Sequence, residues 1–337
     1  MSKWLILCAL PLLSSLILSR LVIHYFGNRL LDRPNNRSSH QIPTPRGGGI
    51  ALALGVIISL LTGWSFEHIN TAPLYWLLIP SGLIAILGIC DDLFNLNIGI
   101  RLAMQFLLSA VGLFFIGSQS EFSQPTQMLI AAPVLLFIVW MTNLYNFMDG
   151  INGLAALQAI SVCVCMCIIY WITSSNTNTT YLLIVIAASS LGFLFWNFPG
   201  AKLFMGDSGS LFLGLSFGLL TAESINEGAH LLTAWLIMLG VFVVDASYTL
   251  FYRFVTKQAF HQAHRTHTYQ KIAEKYKSHT FATLAIMAVN LTWLFPIAIA
   301  AATKHLHYIT ALIIAYIPLL WLAKQFHAGR ADHSPHQ

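Results

Sequence analysis

Charge is what this sequence has least of. Asp, Glu, Lys and Arg make up 9% of its 337 residues, against roughly 25% in a soluble domain, so the chain cannot clothe a water-facing surface. Cysteine is sparse as well. Cys8, Cys90, Cys163, Cys165 and Cys167 all lie in apolar stretches and none forms a C-x-x-C pair. That excludes a zinc ribbon and a disulfide framework, and leaves them as small apolar packing residues. Gly47-Gly48-Gly49 follows Pro43-Thr44-Pro45-Arg46 with no G-K-[ST] after it, so it is not a Walker phosphate loop. It either lets backbone approach a headgroup or eases entry into the next apolar run. Neither a solenoid-like repeat nor a low-complexity tract is present.

What the chain does have is hydrophobic length: 57% of it is apolar and mean hydropathy is +0.71. A bilayer core of about 30 Å takes about 20 apolar residues per helical span. Apolar runs fall near residues 3–26, 48–66, 73–90, 100–118, 126–144, 154–174, 180–197, 208–223, 230–250, 281–301 and 307–325. The expected fold class is therefore an all-α polytopic membrane protein with about eleven transmembrane helices. Residues 1–337 would form a single integral membrane domain with no separate soluble part. The first run, Trp4 to Phe26, is longer than a signal-peptide core and has no small-x-small cleavage site after it, so it reads as a span.

Basic residues orient such a bundle. Eleven spans put the termini on opposite sides. One set of loops, with the span ends beside it, holds fifteen of the seventeen Lys and Arg residues, and the other keeps only Lys3 and Lys304. The N-terminus is expected outside and the C-terminus in the cytoplasm. The same division sends Asp91, Asp92, Asn143, Asn146, Asp149, Asn152, Asn197, Asp207, His261, His264 and His267 to the cytoplasmic side. The net charge of +5, concentrated there, suits anionic substrates and lipid headgroups rather than a nucleic acid polymer.

Four motifs are candidates for chemistry. Asp91-Asp92 closes an apolar run, where an acid needs a partner or a task. Adjacent helical residues point about 100° apart, so the two acids serve different partners, unless they are merely a solvated span end. Asn143-x-x-Asn146-x-x-Asp149-x-x-Asn152 places a polar side chain at every third position. Gly150 and Gly153 break the helix there, letting these side chains converge on a ligand or simply forming a polar loop. In Asn197-Phe198-Pro199-Gly200-Ala201-Lys202-Leu203-Phe204-Met205-Gly206-Asp207-Ser208-Gly209-Ser210, Asp207 sits at the mouth of a helix. There it caps the helix or offers a hard oxygen to Mg²⁺. His261-x-x-His264-Arg265-x-His267 lacks the Cys or acidic partner of a zinc site. It suits phosphate binding, or is a solvated basic loop.

Taken in order, Asp91-Asp92, Asn146-Phe147-Met148-Asp149-Gly150-Ile151-Asn152-Gly153, Phe204-Met205-Gly206-Asp207-Ser208-Gly209 and His264-Arg265-Thr266-His267 resemble the polyprenyl-phosphate N-acetylhexosamine-1-phosphate transferases. That family includes the bacterial enzymes that start O-antigen and enterobacterial common antigen synthesis, and phospho-N-acetylmuramoyl-pentapeptide transferase. The resemblance runs from about Arg37 to His267. It implies a Mg²⁺-dependent enzyme of the bacterial inner membrane, with Mn²⁺ able to stand in. Its substrates would be undecaprenyl phosphate and a UDP-N-acetyl sugar, and a homodimer is compatible with it.

By the resemblance, Asp207 is a metal ligand with Asp149 or Asn146 beside it. Asp91, Asp92, Asp149, His264 and His267 serve catalysis. Asn197, Asn152 and Phe204 line a uridine pocket, and Asn143, Asn146, Arg46 and Arg265 bind substrate. Asn152 stands where several relatives carry Asp. The lysine of the muramoyl branch's first cytoplasmic loop is missing, with Arg46 or His40 to replace it, and so is that branch's triple histidine. These departures, with eleven spans and a cytoplasmic tail, favour the O-antigen branch. The competing expectation is a secondary transporter, with Asp245 in Val243-Val244-Asp245-Ala246 as its intramembrane carboxylate.

Overall fold

The computed structural model describes residues 3–27, 31–32, 43–118, 124–173, 177–258 and 264–330. The chain is an all-helical, multi-pass membrane protein. Nine helices among the described residues are long and apolar enough to cross a bilayer, and a bent pair brings the number to ten. The helices are α1 (Leu10–Phe26), α2 (Gly48–Ser65), α3 (Ile79–Phe94), α4 (Ile98–Gly117), α5 (Gln124–Met148), α6 (Leu154–Ile172), α7 (Thr177–Asn197), α8 (Asp207–Glu223), α9 (Ala229–Met238), α10 (Gly240–Val255), α11 (Thr268–Lys275), α12 (His279–Val289), α13 (Phe295–Ala302) and α14 (Tyr308–Gln325). Short π-helical segments lead into α1 and α3 and join α12 to α13. The strands β1 (Leu31–Asp32) and β2 (Thr44–Pro45) pair antiparallel, Leu31 with Pro45 and Asp32 with Thr44.

The apolar run at 230–250 is not one straight helix: α9 and α10 meet at a 66° bend. The run at 208–223 became α8, a 17-residue helix with every residue from Ser208 to Ala222 buried. Lipid is as apolar as Leu, so helices in a membrane associate through close packing of small residues. α8 has those residues. A Cβ on Gly49 of α2 would fall 2.1 Å from Gly209 N, and one on Gly88 of α3 would fall 2.5 Å from Ser208 Cα. Glycine at both places lets α2 and α3 lie directly against the N-terminus of α8.

Contacts gather one set of helix ends together. Backbone hydrogen bonds run from Gly48 N to Phe204 O (2.9 Å), Gly49 N to Met205 O (2.8 Å) and Phe204 N to Pro45 O (2.8 Å). Gly329 N likewise reaches Thr266 O at 2.8 Å. The expected break between α5 and α6 is present, with Gly153 in the left-handed region at φ +76°. Asn143 and Asn146 stay inside α5, while Asp149 and Asn152 lie in the break.

Candidate active site

The acidic centre is built by a helical hairpin and a helix N-terminus. α3 ends at Asn95, whose φ of +50° reverses the chain, and Asp91 Oδ1 accepts from Leu96 N at 2.8 Å to hold the turn. Asn97 then caps α4 by accepting from Gly99 N at 2.7 Å. This tight connection sets Arg101 over the acids. Its Nη1 lies 2.5 Å from Asp91 Oδ2 and its Nη2 lies 3.7 Å from Asp207 Oδ2.

Asp92 turns the other way, as its place on the helix requires. Its Oδ2 accepts from Asp207 N at 3.1 Å, so a carboxylate from α3 meets the positive end of α8. Gly206, at φ +72°, is needed here, because a Cβ would stand 2.7 Å from Asp92 Oδ2. Arg46 closes this side, with Nη2 2.8 Å from Asp32 Oδ2 and Nη1 3.9 Å from Asp92 Oδ1. Asn146 orients Asp207 from α5, its Nδ2 donating to Asp207 Oδ1 and Ser210 Oγ, each at 2.9 Å.

Four acids (Asp91, Asp92, Asp149 and Asp207) thus share one centre with two guanidiniums, Arg46 and Arg101. Formal charge is in excess by two negatives, and by three with Asp32, which pairs with Arg46. Asp149 registers it: burial first, then the charge of Asp207, pushes its carboxyl well above the usual range, with Arg46 opposing and Asp92 adding. Among the described residues no three His, Cys, Asp or Glu side chains form a ready metal cage. Mg²⁺ needs none, since it is held by one or two carboxylates and keeps water or substrate oxygens in its other positions. The part-exposed Asp207 carboxylate in an electronegative centre fits that requirement. Asn146 holds Asp207 in place, its Nδ2 hydrogens donating to Asp207 and Ser210.

A second group of polar side chains staples the neighbouring loops. Buried Asn197 accepts from Gly153 N at 2.7 Å and donates to Leu203 O at 2.9 Å. Asn152 donates to Pro199 O at 3.1 Å, and its own carbonyl accepts from Thr283 Oγ1 at 2.9 Å. Phe204 follows on this loop, two residues before Gly206, and is part-exposed. Asn143, grouped with these residues by spacing, is placed elsewhere: its Nδ2 donates to Gln105 Oε1 (2.7 Å) and Val139 O (2.8 Å), locking α5 to α4. The 60° drift per three helical residues turns it away from Asn146.

The histidine loop packs under the α5–α6 break. Tyr269 donates to Phe147 O at 3.0 Å, and the ring of His267 stacks on Tyr269 at 5.7 Å. His264 is part-exposed, with Nδ1 3.0 Å from Thr266 Oγ1 and its ring 5.0 Å from that of His267. Burial, with His267 and Arg253 adding, holds His264 down to about 3, so the ring is neutral. His267 is buried, its Nδ1 3.5 Å from Asp245 Oδ1, and faces α10 rather than the acids. Arg265 is part-exposed beside them. His261 and His40 lie outside the described residues.

Asp245 corrects the transporter expectation. Its oxygens accept from Thr268 N (2.8 Å), Tyr269 N (3.1 Å) and Thr249 Oγ1 (3.2 Å). A carboxylate so engaged caps α11 from a neighbouring helix and offers no ion pathway. Two site residues escaped the sequence reading. Arg101, the one cation between residues 91 and 101, reads from sequence only as an orienting charge. Asp32, held by the β1–β2 pair, gave no sequence signal.

The elements α3 to α8 that make this centre coincide with a known sequence family. Residues 74–225 match glycosyl transferase family 4. The segment thus includes Asp91, Asp92, Arg101, Asn146, Asp149, Asn197 and Asp207, while Arg46 and the histidine loop flank it. The chain is 34% identical over 200 residues to a probable undecaprenyl-phosphate N-acetylglucosaminyl 1-phosphate transferase of Bacillus subtilis, covering 57% of this chain and 54% of that one. It is 34% identical over 189 residues to undecaprenyl-phosphate alpha-N-acetylglucosaminyl 1-phosphate transferase of Thermotoga maritima, covering 55% and 53%. It is 28% identical over 244 residues to phospho-N-acetylmuramoyl-pentapeptide-transferase of Pelagibacter ubique, covering 62% and 67%. The chain spans about half the length of the first two relatives.

Proposed function

We propose that the chain transfers an N-acetylhexosamine 1-phosphate from a UDP-sugar to undecaprenyl phosphate, releasing UMP, at the cytoplasmic face of a bacterial inner membrane. The observation that carries the reading is the interleaving of Asp91, Asp92 and Asp207 with Arg46 and Arg101 at one end of a membrane bundle. An acceptor in the bilayer and a water-soluble diphosphate meet at such a place. The fifteen-to-two bias of cations supports the orientation, with the N-terminus periplasmic and the C-terminus cytoplasmic. The names of the relatives support the substrate classes.

In this reading an oxygen of the lipid phosphate attacks the β-phosphorus in line. The new P–O bond forms as the bond from that phosphorus to the oxygen bridging to the α-phosphate breaks, and UMP leaves with the electron pair. Arg46 and Arg101 bind phosphoryl oxygens, and Arg101 ties their placement to Asp91 and Asp207. Asp207, with Asp149 beside it, would hold Mg²⁺, which when bound would supply neutralisation of the diphosphate charge. A phosphate monoester has its second pKa near 6, so the nucleophile is already largely ionised at neutral pH. Asp91 acts chiefly through geometry. Asn197 and Asn152 hold the loop that carries Phe204, which offers its ring to the uracil.

The test uses purified protein with undecaprenyl phosphate, Mg²⁺ and a panel of UDP-N-acetyl sugars, following UMP and the lipid product. UMP release that needs both lipid and metal, and is lost in Asp207→Asn, is the expected result, and the best donor names the sugar. No turnover across the panel by folded, lipid-supplied protein would overturn the reading.

A further inference from the structure

A cavity of about 220 Å³ lies beside α11. α10, α11, α12 and α14 wall it, with Val244, Ile272, Ala285, Val289, Leu322 and Phe326 in its lining. We propose that this cavity binds one acyl chain of an anionic phospholipid, with the headgroup at Lys275.

Three observations support the proposal. First, the cavity is not a water site. A buried water needs two to four polar partners. The Asp245 oxygens already accept from Thr268 N, Tyr269 N and Thr249, and the Tyr269 hydroxyl donates to Phe147 O. The buried hydroxyl of Thr268, a residue only 8% exposed, is left over with no hydrogen-bond partner. A hydrocarbon chain fits such a lining, and its ester carbonyl fits the lone hydroxyl donor. Second, two of the walls belong to membrane-spanning helices whose outer faces present Leu284, Leu291 and Trp321, so the surrounding lipid is the adjacent reservoir. Third, the cavity has a cationic rim. Lys275 Nζ sits 5.7 Å from the ring centre of Tyr276 and 5.2 Å from that of Phe326, both lining residues. No carboxylate among the described residues forms an ion pair with Lys275.

Thr268 and Tyr269 open α11 and line the cavity, and Asp245 holds their N–H groups. An acyl chain seated there therefore props the helix that anchors the histidine loop. The site is distinct from the carboxylate centre, and it stands whether or not the transfer reaction is the one proposed above.

The experiment uses the full chain in detergent, titrated with dioleoylphosphatidylglycerol or dioleoylphosphatidylcholine. Retained lipid is counted by native mass spectrometry and thermal stability is followed in parallel. The wild type is expected to keep one phosphatidylglycerol and to prefer it about fivefold, the increment of one cation near an anionic headgroup. Lys275→Gln should lose the preference and keep the chain site. Ala285→Phe fills the cavity and should lose both the retained lipid and its thermal shift, with Val289→Phe as the second filling variant should the first not fold. A filled variant, folded by helical circular dichroism and size exclusion, that retains lipid like the wild type would overturn the proposal. So would equal affinity for the two lipids in the wild type. Displacement of the bound lipid by one equivalent of undecaprenyl phosphate would overturn it in favour of a substrate site.

Discussion

Asp245→Ala tests how the fold holds its histidine loop. The carboxylate is buried and takes hydrogen bonds from Thr268 N at 2.8 Å and Tyr269 N at 3.1 Å, the first two amides of α11. Both amides are buried among membrane helices, and neither has an intrahelical acceptor, because a helix leaves its first N–H groups unpaired. Each hydrogen bond to a charged acceptor is worth about 1.5–3 kcal/mol, so losing two removes about 3–6 kcal/mol from the closed loop. At about 1.4 kcal/mol per factor of ten, the protection of these two amides against hydrogen exchange should fall by about 100-fold or more. The effect should be confined to α11 and the residues before it. Asp245→Asn, which keeps an acceptor for one of the amides, should lose about half of that free energy. Hydrogen exchange with mass spectrometry on a peptide covering residues 264–275 reads the change. Unchanged protection in Asp245→Ala would refute the capping role and reopen the question of why an acid lies in this span.

Three further outcomes are expected. Arg101→Ala strips the cation shared by Asp91 and Asp207, and loss of one preorganised partner of a reacting oxyanion typically costs about 100-fold or more. UMP release within threefold of wild type would show that the cation is dispensable. Asn197→Asp keeps the acceptor for Gly153 N but sets a second acceptor against Leu203 O. An unsatisfied buried polar group costs about 1–3 kcal/mol, so the melting temperature should drop, and an unchanged value would refute the staple. His264 is held down to about 3 by burial and by His267 and Arg253, below its usual value near 6.5. Its contribution to stability is thus whole above about pH 6.5 and is lost as pH falls toward 3, where only the unfolded chain takes the proton. His264→Gln should flatten the decline in melting temperature between about pH 7 and pH 5, and parallel slopes would contradict a neutral, partly buried ring.

The reading from sequence succeeded where one physical rule acts on contiguous residues. Apolar length set the membrane class and the places of the helices. Gly150 and Gly153 marked the break between α5 and α6, and Gly206-Asp207 marked the start of α8, as the structure has them. Local spacing was less reliable over which side chains meet. Asn143 and Asn146 share a motif, yet one ties α5 to α4 and the other orients Asp207. His264 and His267 share another, yet His267 turns inward to Asp245.

Asp245 and Arg101 show why. From the sequence, Asp245 is a lone acid in hydrocarbon, and the cost of burying it suggests transport. Its partners are the amides of residues 268 and 269, more than twenty positions away. Arg101 reads as one more cation beside a span until the αL turn at Asn95 folds it back onto Asp91. Hydropathy and helix breaking depend on neighbours along the chain, so the sequence alone determined the membrane class and the helix breaks, while the eleven spans it suggested compare with nine or ten among the described residues. Pairing of charges and capping of helices depend on distances of about 3 Å between residues far apart in sequence. Only the tertiary structure decided which acids face cations, which asparagine orients Asp207, and that Asp245 holds a helix.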